Sequence, residues 1–496
     1  MKKAFSILIL SFSYCAIAAP INNTQTITTS NTIKPNDDPV QELLQHNDYL
    51  QQQQNKQLTK EDQFFSQNTQ QPQNMVLEIH SFEELTYALM QAINLKHQEL
   101  IQKLLEVYQA DPNAEPAMIA FAKANLALND GHLYTAIEDY QQSLQLAPFF
   151  DRAKLDLARL YFADNRLNAS QKLFKEVNLP HNPNVMSKVN QYLTAIDKRE
   201  SWHGNVMLGY GYTNNLNQSP KQTKTYIGNF FGEIAKITQK SPTAINTAGL
   251  KYEIALNKYH NIYNNHGIQF KAFAYGDWYR DQQKFNEHHL NLNIGYRYHN
   301  RQSDFSLSPI FERIENGGKY FEKDYGIQAK YAYDNLEKNY SIYTIEYKKE
   351  RNQINDLKDY NGDSLRLAFT DIYALTANTT LYGGLVYNSK THTKNKADQY
   401  RRYIGFLGIE KNFDIGLKLD LSANIKRTLY RGYNETFQEK RQDTEQTYSA
   451  TLSIPRWEIY HFTPSIHYQY IKNKSNIDWV YSYKKNSVYL KMEMRF

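Results

Sequence analysis

Cysteine is almost absent from this 496-residue chain: the one present, Cys15, lies close to the start. With no later thiol there is no disulfide framework and no thiolate metal site, a composition suited to an oxidising compartment. Long apolar runs are missing as well. After Ala18 no stretch approaches the length a bilayer-spanning helix needs. Charge of one sign is scarce, since 57 Lys and Arg oppose 51 Asp and Glu for a net charge of +6. The basic residues are scattered, so nothing points to nucleic acid. No G-x-S-x-G elbow, Walker loop or H-E-x-x-H motif occurs. No enzyme, cofactor or metal is expected.

What is present begins with Met1-Lys2-Lys3, an apolar stretch from Ala4 to Ile17 and the small-x-small exit Ala16-Ile17-Ala18. That order describes a secretory signal over 1–18. Cleavage is expected after Ala18, because Pro20 would directly follow a cut after Ala19. A lipoprotein signal using Cys15 would place the bulky Tyr14 where a small residue is required. Residues 19–74 are rich in Asn, Gln and Thr around Gln51-Gln52-Gln53-Gln54. Such a segment buries too little apolar surface to repay its ordering entropy and reads as a disordered tether, with room for a short helix over 40–50.

From 75 to 200 the apolar residues take a helical period. Ser81 and Glu84 form a capping box. Ala124, Ala136 and Tyr140 have counterparts 34 residues later at Ala158, Ser170 and Phe174, and Pro148 has one at Pro183. Small residues at helix crossings, an aromatic on the second helix and a closing proline are the tetratricopeptide pattern. A looser unit ending at Asp111-Pro112 and a helix near 185–196 are expected to cap this α-solenoid. Its concave face is expected to present Phe121, Asn125, Leu128, Leu155, Arg159 and Phe162 to a client protein segment.

From 201 to 496 the period becomes two. Leu290, Leu292, Ile294, Tyr296 and Tyr298 alternate with Asn291, Asn293, Gly295, Arg297 and His299. The 40 Tyr and 24 Phe concentrate in this part, although mean hydropathy is only −0.70. Strands with one apolar and one polar face, repeated many times, are what a closed membrane barrel requires. Strands are predicted at 203–213, 245–257, 267–279, 288–299, 304–315, 324–334, 340–350, 362–373, 379–388, 399–409, 415–429, 446–455, 461–471 and 486–496. Connections alternate between short turns and long loops, as expected for periplasmic and extracellular ends. The fold class is therefore α+β multidomain: a periplasmic repeat solenoid followed by a 14-stranded antiparallel transmembrane β-barrel in a Gram-negative outer membrane. Leu490, Met492, Met494 and Phe496 resemble the terminal signal read by the barrel-assembly machinery. His288-His289 and the pair His461 and His467, an even step apart on one strand face, read as interfacial or lumen-lining residues. Arg297, His299, Lys491, Glu493 and Arg495 either line a conduit or fill the barrel. Phe230-Phe231 in the first long loop form an apolar pair for the lumen or a partner.

This order of parts resembles Slam, the surface lipoprotein assembly modulators. The junction Trp202-His203-Gly204 and the Asn-rich exit of the first strand, with Asn214, Asn215, Asn217 and Pro220, carry the most specific likeness. The resemblance implies an outer-membrane translocator whose clients are surface lipoproteins or secreted haem- or iron-binding proteins, working among outer-membrane lipids. It supplies no catalytic residues. The alternative is a polysaccharide-export porin, which also joins repeats to a barrel but tends to line its lumen with charge of one sign. A plugged receptor of about 22 strands would not fit in about 295 residues.

Overall fold

The computed structural model describes residues 79–496 except 221–223, 231–232, 240, 337, 393, 395 and 434–438, and leaves the side chains of 221–240 undescribed. The expected signal, the tether with its short helix, and the Phe230-Phe231 side chains lie outside the described residues.

Among the described residues seven helices precede the strands: α1 Phe82–Asn94, α2 Gln98–Ala110, α3 Pro116–Asn129, α4 Leu133–Leu146, α5 Asp151–Ala163, α6 Leu167–Glu176 and α7 Pro183–Glu200. They form three hairpins and a final helix. Ser81 Oγ accepts from the Glu84 N–H at 3.1 Å, while the Glu84 carboxylate reaches back to the His80 N–H at 2.7 Å. Ala124, Ala136, Tyr140, Ala158, Ser170 and Phe174 are all buried, because helices can cross closely only where side chains are small and the aromatic fills the space beside them. Each hairpin turns through one left-handed residue: Lys96, then Gly131, then Asn165. That position ends a helix and favours glycine or asparagine. Two cores result. One joins α1 to α5 around Tyr108, Phe121 and Tyr140. The other joins Ala158, Phe162, Phe174, Tyr192 and Ile196 of α5–α7 to Tyr259 from the barrel.

The strands are β1 His203–Thr213, β2 Lys224–Phe230, β3 Glu233–Gln239, β4 Thr247–Tyr263, β5 His266–Trp278, β6 Glu287–His299, β7 Ser303–Asn316, β8 Lys319–Asp334, β9 Asn339–Asn352, β10 Gly362–Thr376, β11 Thr379–His392, β12 Tyr400–Asn412, β13 Lys418–Tyr430, β14 Gln442–Ser453, β15 Thr463–Ser475 and β16 Tyr483–Arg495. Fourteen close an antiparallel barrel, β1 pairing with β4 on one side and β16 on the other, while β2 and β3 make a separate hairpin within the first long loop. That hairpin is an addition to the predicted loop. Side chains alternate along the strands: on β9, Tyr343, Ile345 and Tyr347 face outward and exposed, and Thr344, Glu346 and Lys348 face inward and buried. Tyr, Trp and Phe mark both edges of the outward band, for example Tyr325 and Tyr347 at one end and Phe305, Tyr331 and Tyr333 at the other.

The repeats and Phe496 share one end of the barrel with the turns after β4, β6, β8, β10, β12 and β14. The opposite connections are not uniformly long. β7 and β8 meet through Gly317-Gly318 alone, both with positive φ, which lets a two-residue turn follow the strand twist. Strand β8 accordingly starts five residues before the predicted 324. His461 also departs from expectation. It sits in the turn before β15 with φ +68°, so it does not share a strand face with His467.

Replacing Phe162 with alanine removes a ring packed edge-on against Tyr192 at 5.1 Å and within 3.6 Å of the Arg199 guanidinium. The loss should be about 3–5 kcal/mol of repeat-domain stability. It should appear as a lowered helical melting transition in the full-length protein while the barrel keeps its heat-modifiable gel mobility.

Candidate functional site

The third repeat hairpin seats on the barrel mouth. Asn165 holds its turn in the left-handed conformation, and the same side chain donates to the Asn300 carbonyl at 3.0 Å and lies 3.3 Å from His299 Nε2. Asn168, at the start of α6, donates through Nδ2 to the Asn261 carbonyl at 2.6 Å and through its N–H to Asn261 Oδ1 at 3.2 Å. The Asn261 N–H donates in turn to Glu200 Oε1 at 2.6 Å. Asp164 accepts from the Arg301 N–H and from Arg166 Nε, and Asn265 donates to its carbonyl. The turns after β4 and β6 are thus tied to the α5–α6 turn by short polar side chains whose partners are mostly backbone. Under them, Arg199 lies over the Phe162 ring and donates to the Phe162 carbonyl at 2.9 Å and Asn165 Oδ1 at 3.1 Å. Burial draws its pKa down to about 9, so it stays charged at neutral pH. Tyr134 beside them is pushed up to about 12, by burial and then by the Asp164 carboxylate, so it stays protonated and donates to Asp164 at 3.3 Å.

The residues expected on the concave repeat face divide in two. Asn125, Leu128, Leu155 and Arg159 are partly exposed on α3 and α5. Phe121 and Phe162 are not on that face at all. Phe121 is 0% exposed between Tyr140 and Phe150, and Phe162 is 1% exposed in the core shared with the barrel. A large ring on a helix repays more by filling a hairpin core than by lining a groove.

The first-strand junction and the chain end meet at the barrel seam. Gly204 and Phe496 exchange backbone hydrogen bonds at 2.9 and 3.0 Å, extending the β1–β16 pairing by one step. A Cβ on Gly204 would meet the Phe496 ring at 2.9 Å and run into the Ala255 carbonyl, so only glycine fits there. Trp202 packs edge-on against Phe270 at 5.4 Å, under Lys258. At the other end of the seam Asn214 Oδ1 accepts from the Asn486 N–H at 2.7 Å. Asn215, at φ +49°, donates to the carbonyls of Ser219 and Lys484 at 2.9 Å each. Asn217 ties Thr243 and Ile245 of the returning chain, and Pro220 lies buried beside them. Leu490, Met492, Met494 and Phe496 all face outward by the register of β16.

Inside, one wall is packed shut. Lys348 bridges Glu312 at 2.9 Å and Glu346 at 3.2 Å, His289 lies 2.7 Å from Glu287, and Arg297 grips Asp304 through two hydrogen bonds. Glu322, Asp324 and Glu350 bring carboxylate oxygens within 4.8 Å of one another, and Lys390 places a cation on Glu350. At the loop-rich end, Arg441 pairs with Asp443 at 2.7 Å and lies between the Tyr430 and Tyr481 rings, which pins the short helix α8 Asp478–Tyr481 inward. Opposite this packing, a cavity of about 520 Å³ opens along β12–β16, β1 and β4 towards the repeat-bearing end. Lys491, Glu493 and Arg495 line it, as do His461 and His467. Arg297 and His299 instead belong to the packed wall and the repeat joint.

Two family models match the chain: surface lipoprotein assembly modifier over residues 202–496, and the N-terminal TPR repeats of surface lipoprotein assembly modifiers over 76–174. The chain belongs to the surface lipoprotein assembly modifier family. A hemophilin secretion modulator of Acinetobacter baumannii is 31% identical over 83% of this chain and 86% of its own. Surface lipoprotein assembly modifier 1 of Haemophilus influenzae is 25% identical over 82% and 84%, and the modifier of Moraxella catarrhalis 24% over 83% and 80%. In this family member the barrel spans the outer membrane and the tetratricopeptide repeats stand at its periplasmic mouth.

Sequence reasoning missed the joint. Asn165, Asn168, Asn261, Asn265 and Asn300 read singly as polar residues at or near turns, and their gathering at one repeat turn and two barrel turns carried no period to reveal it. Asn165→Ala deletes the side-chain contacts with the Asn300 carbonyl, His299 Nε2 and Arg199, a loss of about 1–2 kcal/mol once water replaces part of them. Amide exchange in α6 and in the turn after β4 should rise together, roughly 5–30-fold, with the strands still protected. Unchanged exchange would show that the repeats hold their place without it.

Proposed function

We propose that this chain carries specific client proteins across the outer membrane, either surface lipoproteins or secreted haem- and iron-acquisition proteins. The observation that carries the reading is the joint: a repeat solenoid fastened to one side of a barrel mouth whose opposite side opens into a polar cavity. Repeat stacks hold protein segments, and a passive pore has no use for one. The name of the 31% identical relative favours a released client. Asn125, Leu128, Leu155 and Arg159 form the client-facing part of the repeats, and the cavity beside the seam receives what they deliver. The barrel-assembly machinery inserts the barrel through its Phe496 end. The reading requires no catalytic step, cofactor or nucleotide.

Deleting the gene and comparing surface-exposed, released and periplasmic proteins tests this directly. One or two proteins should leave the surface or medium by tenfold or more and accumulate in the periplasm. An unchanged protein profile with loss of a surface polysaccharide would replace this reading with polysaccharide export. Within the repeats, Asn125→Arg and Arg159→Glu should each lower client export several-fold at unchanged barrel abundance. Normal export in both variants would move client recognition off this face.

A further inference from the structure

The outward wall of β13–β16 carries positive charge in an arrangement that the protein itself does not balance. On the loop-rich side its continuous apolar band runs to Ile425, Tyr448, Tyr470 and Val488, with Leu429 alone beyond it on this face. Just beyond stand Arg427, Lys472, Lys474 and Lys484, all exposed. The register aligns Arg427, Thr444 and Lys474 in one cross-strand row and sets Lys472 directly opposite Lys484. Like charges placed opposite each other on one sheet face destabilise it. None of these four cations forms an ion pair with a carboxylate among the described residues. Arg427 is oriented by neutral groups, donating to Thr444 Oγ1 at 2.6 Å and Gln442 Oε1 at 2.8 Å. On β7–β9 of the same rim Arg313 also stands opposite a cation, Lys323, but there carboxylates are at hand: Arg313 pairs with Glu315 at 2.5 Å and Arg351 lies 3.7 Å from Asp363.

A groove of about 470 Å³ lies between Arg427, Lys472 and Lys474, floored by Gln442, Thr444 and Gln446. Its depth in the membrane follows from strand geometry. Two to four residues beyond the aromatic edge, on a strand rising about 3.3 Å per residue and tilted about 40°, is about 5–10 Å above the hydrocarbon. That is the layer of lipid phosphates, and the groove faces sideways into it rather than up into solvent. Charge complementarity, depth and direction all select the same occupant. We propose that this groove binds the phosphorylated headgroup of an outer-leaflet glycolipid, with Arg427, Lys472 and Lys474 on the phosphates and the amides and hydroxyl of the floor on the sugar. The groove spans β13–β15, with only β16 between it and the seam, and so fixes a lipid close to the strand pair that closes the barrel.

The test uses the full-length protein in detergent, with bis-phosphorylated lipid A, its dephosphorylated form and inorganic phosphate as probes, read by native mass spectrometry. The phosphorylated lipid should bind at least tenfold more tightly than the dephosphorylated one and resist displacement by inorganic phosphate. Combined Arg427→Gln, Lys472→Gln and Lys474→Gln should abolish that preference, and combined Arg313→Gln and Lys323→Gln, at facing positions of β7 and β8 in the other cationic stretch, should preserve it. Equal binding of the two lipids to the unaltered protein overturns the proposal without any variant, so a triple variant that fails to assemble leaves it testable; Lys472→Gln alone should then lower the preference. Displacement by inorganic phosphate, a preference retained in the triple variant, or its loss in the Arg313 and Lys323 control would each overturn it too.

Discussion

Hydrocarbon offers no hydrogen-bond partner to a backbone, so each peptide group of a spanning strand must find one in a neighbouring strand. For an antiparallel sheet the only complete answer is closure, and closure here rests on one pairing between the first and last strands. Asn205 to Thr213 lie against Ser487 to Arg495, and the Gly204–Phe496 and Asn214–Asn486 contacts fasten the two ends. The contact density at Gly204 shows how tightly the ends are fitted, since a single added carbon has no room. Without this seam, β1 and β16 would each present an open edge to lipid.

Closure then sets the inner and outer chemistry. Alternate side chains must face lipid, and the outward positions are filled with Leu, Ile, Tyr and Phe. The same alternation drives Lys, Glu, Arg and His inward, where a buried charge is tolerable only if paired. The Lys348–Glu312–Glu346 and Arg297–Asp304 contacts are that pairing, and they pack one wall of the lumen. On the opposite wall smaller and neutral residues such as Ser422, Asn424, Ser449 and Ser465 leave the cavity open. A barrel of this size is therefore neither a free pore nor a solid plug.

The repeats add a second constraint. A hairpin stack can continue only until its last apolar face is covered, and here the cover is shared between α7 and Tyr259 of the barrel. Apolar packing supplies the attraction, and the asparagine contacts of the joint supply the register. Most of their partners are backbone carbonyls and N–H groups of tight turns, so the fit depends on the shape of those turns rather than on charge.

The sequence by itself determined the two periodicities, and with them the solenoid, the strand number and the fourteen-membered barrel. Helical and strand periods report which face each element buries, and that information is local to a dozen residues. Trp202, Gly204 and Phe496 were legible as special positions for the same reason. Their meeting at the seam was not legible, nor was the burial of Phe121 and Phe162 away from the repeat face. Both depend on which surfaces lie opposite each other after the chain has closed. The asparagine joint, the cavity and the cation-lined groove are likewise products of register, where residues far apart in sequence come within hydrogen-bonding distance. Only the tertiary structure decided those, because polar side chains in turns carry no period from which their partners can be read.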